Sequence, residues 1–117
     1  MKRFLFSIAL ACLSLAAVAQ NSSQQEQLRQ MMRNQSRTEV KTMHSKILSA
    51  ERQYTVFLPA GYEANTDRTY PVLYLLHGMN GTHEDWAGRG HLKDVMDQLK
   101  ASGEVCDMIV IMPNAGG

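Results

Sequence analysis

The residues of this chain best suited to chemistry are His77-Gly78-Met79-Asn80-Gly81. Gly78 and Gly81 allow a backbone to turn tightly and to approach a ligand with no Cβ in the way. The loop they shape follows Val72 to Leu76, an unbroken apolar run of strand length, which predicts a parallel strand covered on both faces. Pro71 stands at the start of that run, where a missing N–H does least harm. In a doubly wound α/β sheet, ligands bind at the carboxyl ends of the strands. Asn114 to Gly117 fall at the same edge, because they follow a second apolar strand, Met108 to Met112, stopped by Pro113. Asn114 is therefore a candidate substrate contact, although an unspecific loop explains it equally well. Trp86 offers an aromatic face that could wall a ligand pocket. A core tryptophan covering the loop accounts for it as well.

Other reactive side chains read more plainly. His83, Glu84, Asp85 and His91 carry ligand atoms, but their spacing matches no closed zinc pattern, and solvated loop positions are expected. No metal and no other cofactor is implied. Cys106 lies just before the second apolar strand. It reads as a packed core thiol, since a reactive cysteine needs a partly exposed electropositive site.

The elements that must hold this edge in place follow from spacing. Arg52 to Leu58 alternates, with Tyr54, Val56 and Leu58 on one face, and Pro59 ends it. With Val40 to Leu48 as a partner and Ser49-Ala50-Glu51 as the turn, it predicts an antiparallel hairpin at the edge of a sheet. Pro59-Ala60-Gly61-Tyr62 and Asn65 to Arg68 form the loop into the central strand. Leu92, Val95, Met96 and Leu99 recur at the spacing of one helix face. Asp94 and Asp97 lie towards the start of that helix and Lys100 in its last turn, as the helix dipole prefers, and Gly103 is placed to cap it. Strand, helix and strand at this spacing make one right-handed βαβ unit. The fold class is α/β, an edge hairpin followed by a βαβ unit, with no internal repeats.

The chain has 117 residues and a net charge of +1, which gives no electrostatic case for binding nucleic acid. Residues 1–19 have the parts of a signal peptide: Lys2 and Arg3, an apolar stretch from Phe4 to Leu15, and Ala17-Val18-Ala19 before Gln20. A membrane anchor is the competing reading, but the apolar stretch is short for a span of about 20 residues. Cleavage is expected to leave no stable anchor, and the location is secreted or periplasmic. It removes Cys12, so Cys106 remains as a single thiol with no internal disulfide partner. Residues 20–38 are a polar leader or frayed helix, in which Arg29, Arg33 and Arg37 share a solvated face. Residues 39–117 form the folded portion.

Four segments carry a resemblance: Val56 to Tyr62 (V-F-L-P-A-G-Y), Tyr70 to Gly81 (Y-P-V-L-Y-L-L-H-G-M-N-G), Trp86, and Ile109 to Gly117 (I-V-I-M-P-N-A-G-G). In this order and register the chain resembles the esterase D-like or feruloyl-esterase-like branch of the α/β-hydrolases. The resemblance covers most of residues 45–117 and implies the N-terminal half of that fold. It further implies that the Met79 backbone N–H is an oxyanion-hole donor, with Gly78 and Gly81 shaping its loop. Trp86 would then wall the acyl or sugar pocket. The substrate would be a carboxylic ester, an acetyl or feruloyl group on polysaccharide. His77 is not expected to be the catalytic base, which comes late in such chains; a hydrogen-bonded histidine supporting the loop is expected instead.

The family's nucleophile sits in a G-x-S-x-G elbow, and no such segment occurs in these 117 residues. The acid and the histidine follow the nucleophile in chain order, so the whole triad is missing. The chain therefore reads as part of a secreted serine esterase, truncated before the nucleophile elbow and inactive alone. A small exported module that binds carbohydrate or protein without catalysis is the alternative.

Overall fold

The computed structural model describes residues 2–115. Seven elements follow one another: α1 (Lys2–Asn34), β1 (Arg37–Ser45), β2 (Ala50–Leu58), β3 (Val72–Tyr74), α2 (Asp85–Gly88), α3 (Leu92–Ala101) and β4 (Ile109–Pro113). The chain divides into two compact units, residues 1–32 and residues 33–117.

The first unit is helical throughout its described length, so the polar residues after Gln20 continue the helix begun by the apolar ones. Apolar and polar residues succeed one another along α1 and do not divide into two faces. Leu10, Leu13, Leu15 and Val18 are all exposed. No helix among the described residues is long and apolar enough to cross a membrane.

The second unit is a four-stranded mixed sheet in the order β1-β2-β4-β3. β1 and β2 pair antiparallel from Arg37↔Leu58 to Ser45↔Ala50. The predicted hairpin is thus present, with β1 on the edge. Its turn is shifted to residues 46–49, with Ser49 in the left-handed region at φ 48°, and Ala50 and Glu51 belong to the strand. Both strands run further than alternation alone suggests because cross-strand hydrogen bonds continue through the polar residues. β4 lies between β2, to which it is antiparallel, and β3, to which it is parallel.

Burial follows from that order. β4 has a neighbour on each edge, and its Val110 is 0% exposed. With Met112, Phe57, Leu92 and Met96 it forms the core, so α3 packs on one side of the sheet through Leu92 and Met96, while Val95 of the predicted face is exposed. The expectation for Val72 to Leu76 requires correction. The strand itself spans only Val72–Tyr74, lies at the other edge of the sheet, and exposes Val72, Leu73 and Tyr74. The residues are apolar enough for a covered strand, but α3 shields only one face of this sheet and nothing among the described residues pairs with the outer edge of β3.

α3 ends as its sequence predicts. Gly103 adopts φ 74°, and the Glu104 N–H donates to the Leu99 carbonyl (2.9 Å) while the Gly103 N–H donates to that of Lys100 (3.1 Å). This pair of bonds satisfies carbonyls that the helix leaves without partners. Asp107 then accepts from Lys100 (2.8 Å) and Arg68 (3.0 Å), tying the helix end and the loop before β3 to the start of β4. The Lys100 hydrogen bond and charge, with a lesser contribution from Arg68, hold the Asp107 carboxyl below its ordinary range, although burial opposes them. At the other side of α3, Asp97 accepts from Ser36 and from Lys93, which joins the approach to β1 to the helix.

Cys106 also departs from expectation: it is exposed. It belongs to the connection between Gly103 and β4, three residues before Ile109, and there it borders an open cavity of about 260 Å³ with Phe57, Met96 and Met108.

Candidate active site

The H-G-x-x-G loop leaves β3 at its carboxyl end and is held by backbone and side-chain hydrogen bonds. The Leu75 N–H donates to the Ile111 carbonyl (2.9 Å), extending the parallel pairing one step past β3. The Trp86 indole N–H donates to the Leu76 carbonyl (2.8 Å). The Gly78 carbonyl accepts from the Gly81 N–H (3.1 Å) and from His77 Nδ1 (2.7 Å). Asn80 takes the left-handed conformation at φ 61°, which asparagine tolerates better than most residues, and this closes the turn.

The two glycines differ. A Cβ on Gly81 would collide with the Asp85 carboxylate and come within 3.0 Å of the Gly78 carbonyl oxygen and 3.1 Å of His77 Nδ1. A Cβ on Gly78 would meet open space, and its φ is not in the left-handed region. The fold therefore needs Gly81, and the expectation that both glycines serve the tight turn is corrected for Gly78. Gly81→Ala is expected to cost about 1–3 kcal/mol through forced movement of the loop. Gly78→Ala is expected to be neutral or to stabilise by about 0.4–1 kcal/mol through the unfolded chain. Thermal melts of the two variants check both; equal losses would contradict this account of the loop.

Met79 stands at the tip with its side chain almost wholly in solvent, at 94% exposure. Among the described residues, none accepts a hydrogen bond from its backbone N–H. His77 has both ring nitrogens engaged, Nδ1 with Gly78 and Nε2 with the Ala115 N–H (3.0 Å). It has no ring nitrogen left to take a proton from a nucleophile, in agreement with a supporting role. Asn114 continues the β2 pairing through its N–H, which donates to the Gln53 carbonyl (3.1 Å). The structure thus brings the loop, Trp86 and the segment after β4 to one edge of the sheet. Gly116 and Gly117 lie outside the described residues.

Among the described residues Trp86 is 40% exposed. Gly90 lies so close that a Cβ there would fall 2.6 Å from the Trp86 carbonyl oxygen. His83 corrects the reading of a solvated loop: it is buried, and its Nδ1 lies 2.8 Å from Thr55 Oγ1 in β2. Spacing held no signal for this, and the reason lies in the burial of both faces at the end of β2. Thr55 and Phe57 alternate with Val56 and Leu58 and are buried too, so a loop residue had to satisfy the Thr55 hydroxyl. Glu84 and His91 are exposed, and among the described residues no three His, Cys, Asp or Glu side chains converge on a metal-sized site.

A mixed sheet with this loop at the carboxyl end of its parallel strand places the chain among the α/β-hydrolase-type folds, of which it forms part. The Esterase family model matches residues 45–117, more than half of the chain. The chain belongs to that family. Among solved structures it is similar to a ferulic acid esterase, at 59% identity and a TM-score of 0.69, over 71% of this chain and 32% of that one. It is also similar to the ferulic acid esterase of Anaeromyces mucronatus solved with ferulic acid, at 28% identity and a TM-score of 0.61, over 68% of this chain and 28% of that one. An endo-1,4-beta-xylanase/feruloyl esterase of Xylanibacter ruminicola is 38% identical over 60 residues, covering 49% of this chain and 8% of that protein. The chain spans about a third or less of each of these relatives.

Proposed function

We propose that these residues form the oxyanion side of an exported serine esterase that releases feruloyl or acetyl groups from polysaccharide. The observation that carries the reading is the Met79 N–H, which no described residue accepts from, at the carboxyl end of β3 in a chain 59% identical to a ferulic acid esterase over the matched region. When a nucleophile attacks an ester carbonyl, negative charge grows on the carbonyl oxygen, and a fixed N–H there stabilises the transition state more than the substrate. Gly78 leaves the approach to that N–H open. Trp86, pinned to Leu76 with its ring exposed, would lie against a planar phenolic acyl group, and Asn114 would contact the substrate from the end of β4. The nucleophile, acid and base of the reaction lie outside these 117 residues, which contain no G-x-S-x-G segment.

The test is hydrolysis of p-nitrophenyl acetate and methyl ferulate by the purified chain. No turnover above background is expected. Turnover abolished by changing Cys106 or a histidine would overturn the reading.

Export rests on the basic start, the apolar run and Ala17-Val18-Ala19. Mass spectrometry of the exported protein is expected to find an N-terminus at Gln20. A mature protein that keeps residues 1–19 would refute cleavage.

A further inference from the structure

The hydrogen bonds of His77 fix more than its own position. A carbonyl oxygen can only accept, so Nδ1 must donate to Gly78 O; a backbone N–H can only donate, so Nε2 must accept from Ala115. Together the two bonds select one tautomer, protonated on Nδ1 and bare on Nε2. The Gly78 carbonyl that His77 holds belongs to the same peptide unit as the Met79 N–H. That unit is planar and trans, so the N–H points opposite to the carbonyl. The Gly81 N–H holds the same oxygen at 3.1 Å, which fills both of its lone pairs. With the carbonyl held from two sides, the direction of the Met79 N–H is set by these two hydrogen bonds.

We infer that His77 is a positioning residue: as the Nδ1–H tautomer it anchors the Gly78–Met79 peptide to the Ala115 amide, and so fixes the direction of the Met79 N–H relative to the end of β4. The catalytic meaning of that direction rests on the oxyanion reading of Met79, but the bridge itself does not. It links two segments 38 positions apart in sequence through one ring. The ring therefore couples the loop after β3 to the segment after β4 through one hydrogen bond at each end.

The experiment is NMR on the isotope-labelled chain, with the imidazole nitrogens and the Met79 and Ala115 amides observed. The wild type is expected to show His77 protonated on Nδ1. His77→Ala should shift both amides and speed Ala115 exchange roughly five-fold, the loss of one ordinary hydrogen bond. His77→Gln places an acceptor near the Nε2 position and should restore Ala115 protection. His77→Asn places a donor near Nδ1 and should restore the Met79 amide alone. A wild-type Nε2–H tautomer, or a Met79 amide unmoved in His77→Ala, overturns the inference. The tautomer is read in the wild type, so a variant that fails to fold does not remove the test. No readout involves ester hydrolysis, so failure of the bridge and failure of the esterase reading are separate results.

Discussion

Met79→Pro is expected to lower kcat about 10²–10³-fold when residues 35–117 replace the matching part of the 59%-identical ferulic acid esterase. Proline removes the one atom the proposal depends on, the amide hydrogen. It leaves the Gly78 carbonyl and its two hydrogen bonds in place. Gly78 precedes it and tolerates the backbone restriction that proline imposes on its predecessor. Met79→Ala is the control: the side chain is in solvent and the N–H is kept, so kcat should stay near that of the parent chimaera. KM should change little in either, because the N–H acts on charge that develops after binding. Melting curves separate a lost donor from a lost fold. A folded Met79→Pro chimaera with full kcat would show that this N–H takes no part in stabilising the oxyanion.

The second large effect concerns solution state. Residues 20–117 are expected to self-associate as concentration rises, because the sheet is open where it is most apolar. β3 presents unpaired backbone groups along its outer edge, and Tyr74 beside them is 68% exposed. The face away from α3 is a concavity of about 500 Å³ in which Tyr54, Val56, Val72, Tyr74 and Ile111 lie towards β3 and the charged Arg37, Glu39, Lys41 and Glu63 towards β1. An open edge beside an apolar face is a template for further strands. β1 at the opposite edge is protected differently, since Arg37 and Lys41 both pair with Glu39 and keep the margin charged. The double substitution Val72→Lys, Tyr74→Lys should shift the population towards monomer in size-exclusion chromatography with light scattering. A wild-type chain that stays monomeric at high concentration would refute the idea that this edge drives association.

The parts of the molecule legible in its sequence are those set by local pattern. The Leu92 and Met96 positions of the α3 stripe, its Gly103 cap and the hairpin follow from spacing and punctuation because their signals are local, and the apolar run of β4 marks a strand although its partners are distant. The H-G-x-x-G loop could be placed at a strand end for the same reason. What spacing could not give was the environment of each element. Val72 to Leu76 has the composition of a covered strand, yet cover depends on neighbours that the run itself does not encode. Cys106 lies between Val105 and Met108, which both pack against the core, yet its own side chain faces solvent, and the apolar run does not encode that direction. His83 looked like a loop residue because its partner Thr55 lies 28 positions away, and a long-range polar pair leaves no period to read. His77 was recognisable as a support, but its tautomer required the Ala115 amide to be in place.

The contrast between Gly78 and Gly81 has a consequence for how this loop would change under mutation and selection. Selection for a folded chain alone would retain Gly81, whose substitution breaks the turn, and would let Gly78 drift, since space surrounds it. Under the oxyanion role proposed for Met79, selection for turnover would retain both, because a Cβ at 78 would stand beside the N–H that an incoming acyl group would have to reach. A randomised library sorted once for folding and once for activity would therefore separate at a single codon, and position 78 would report on the ligand while position 81 reported on the scaffold.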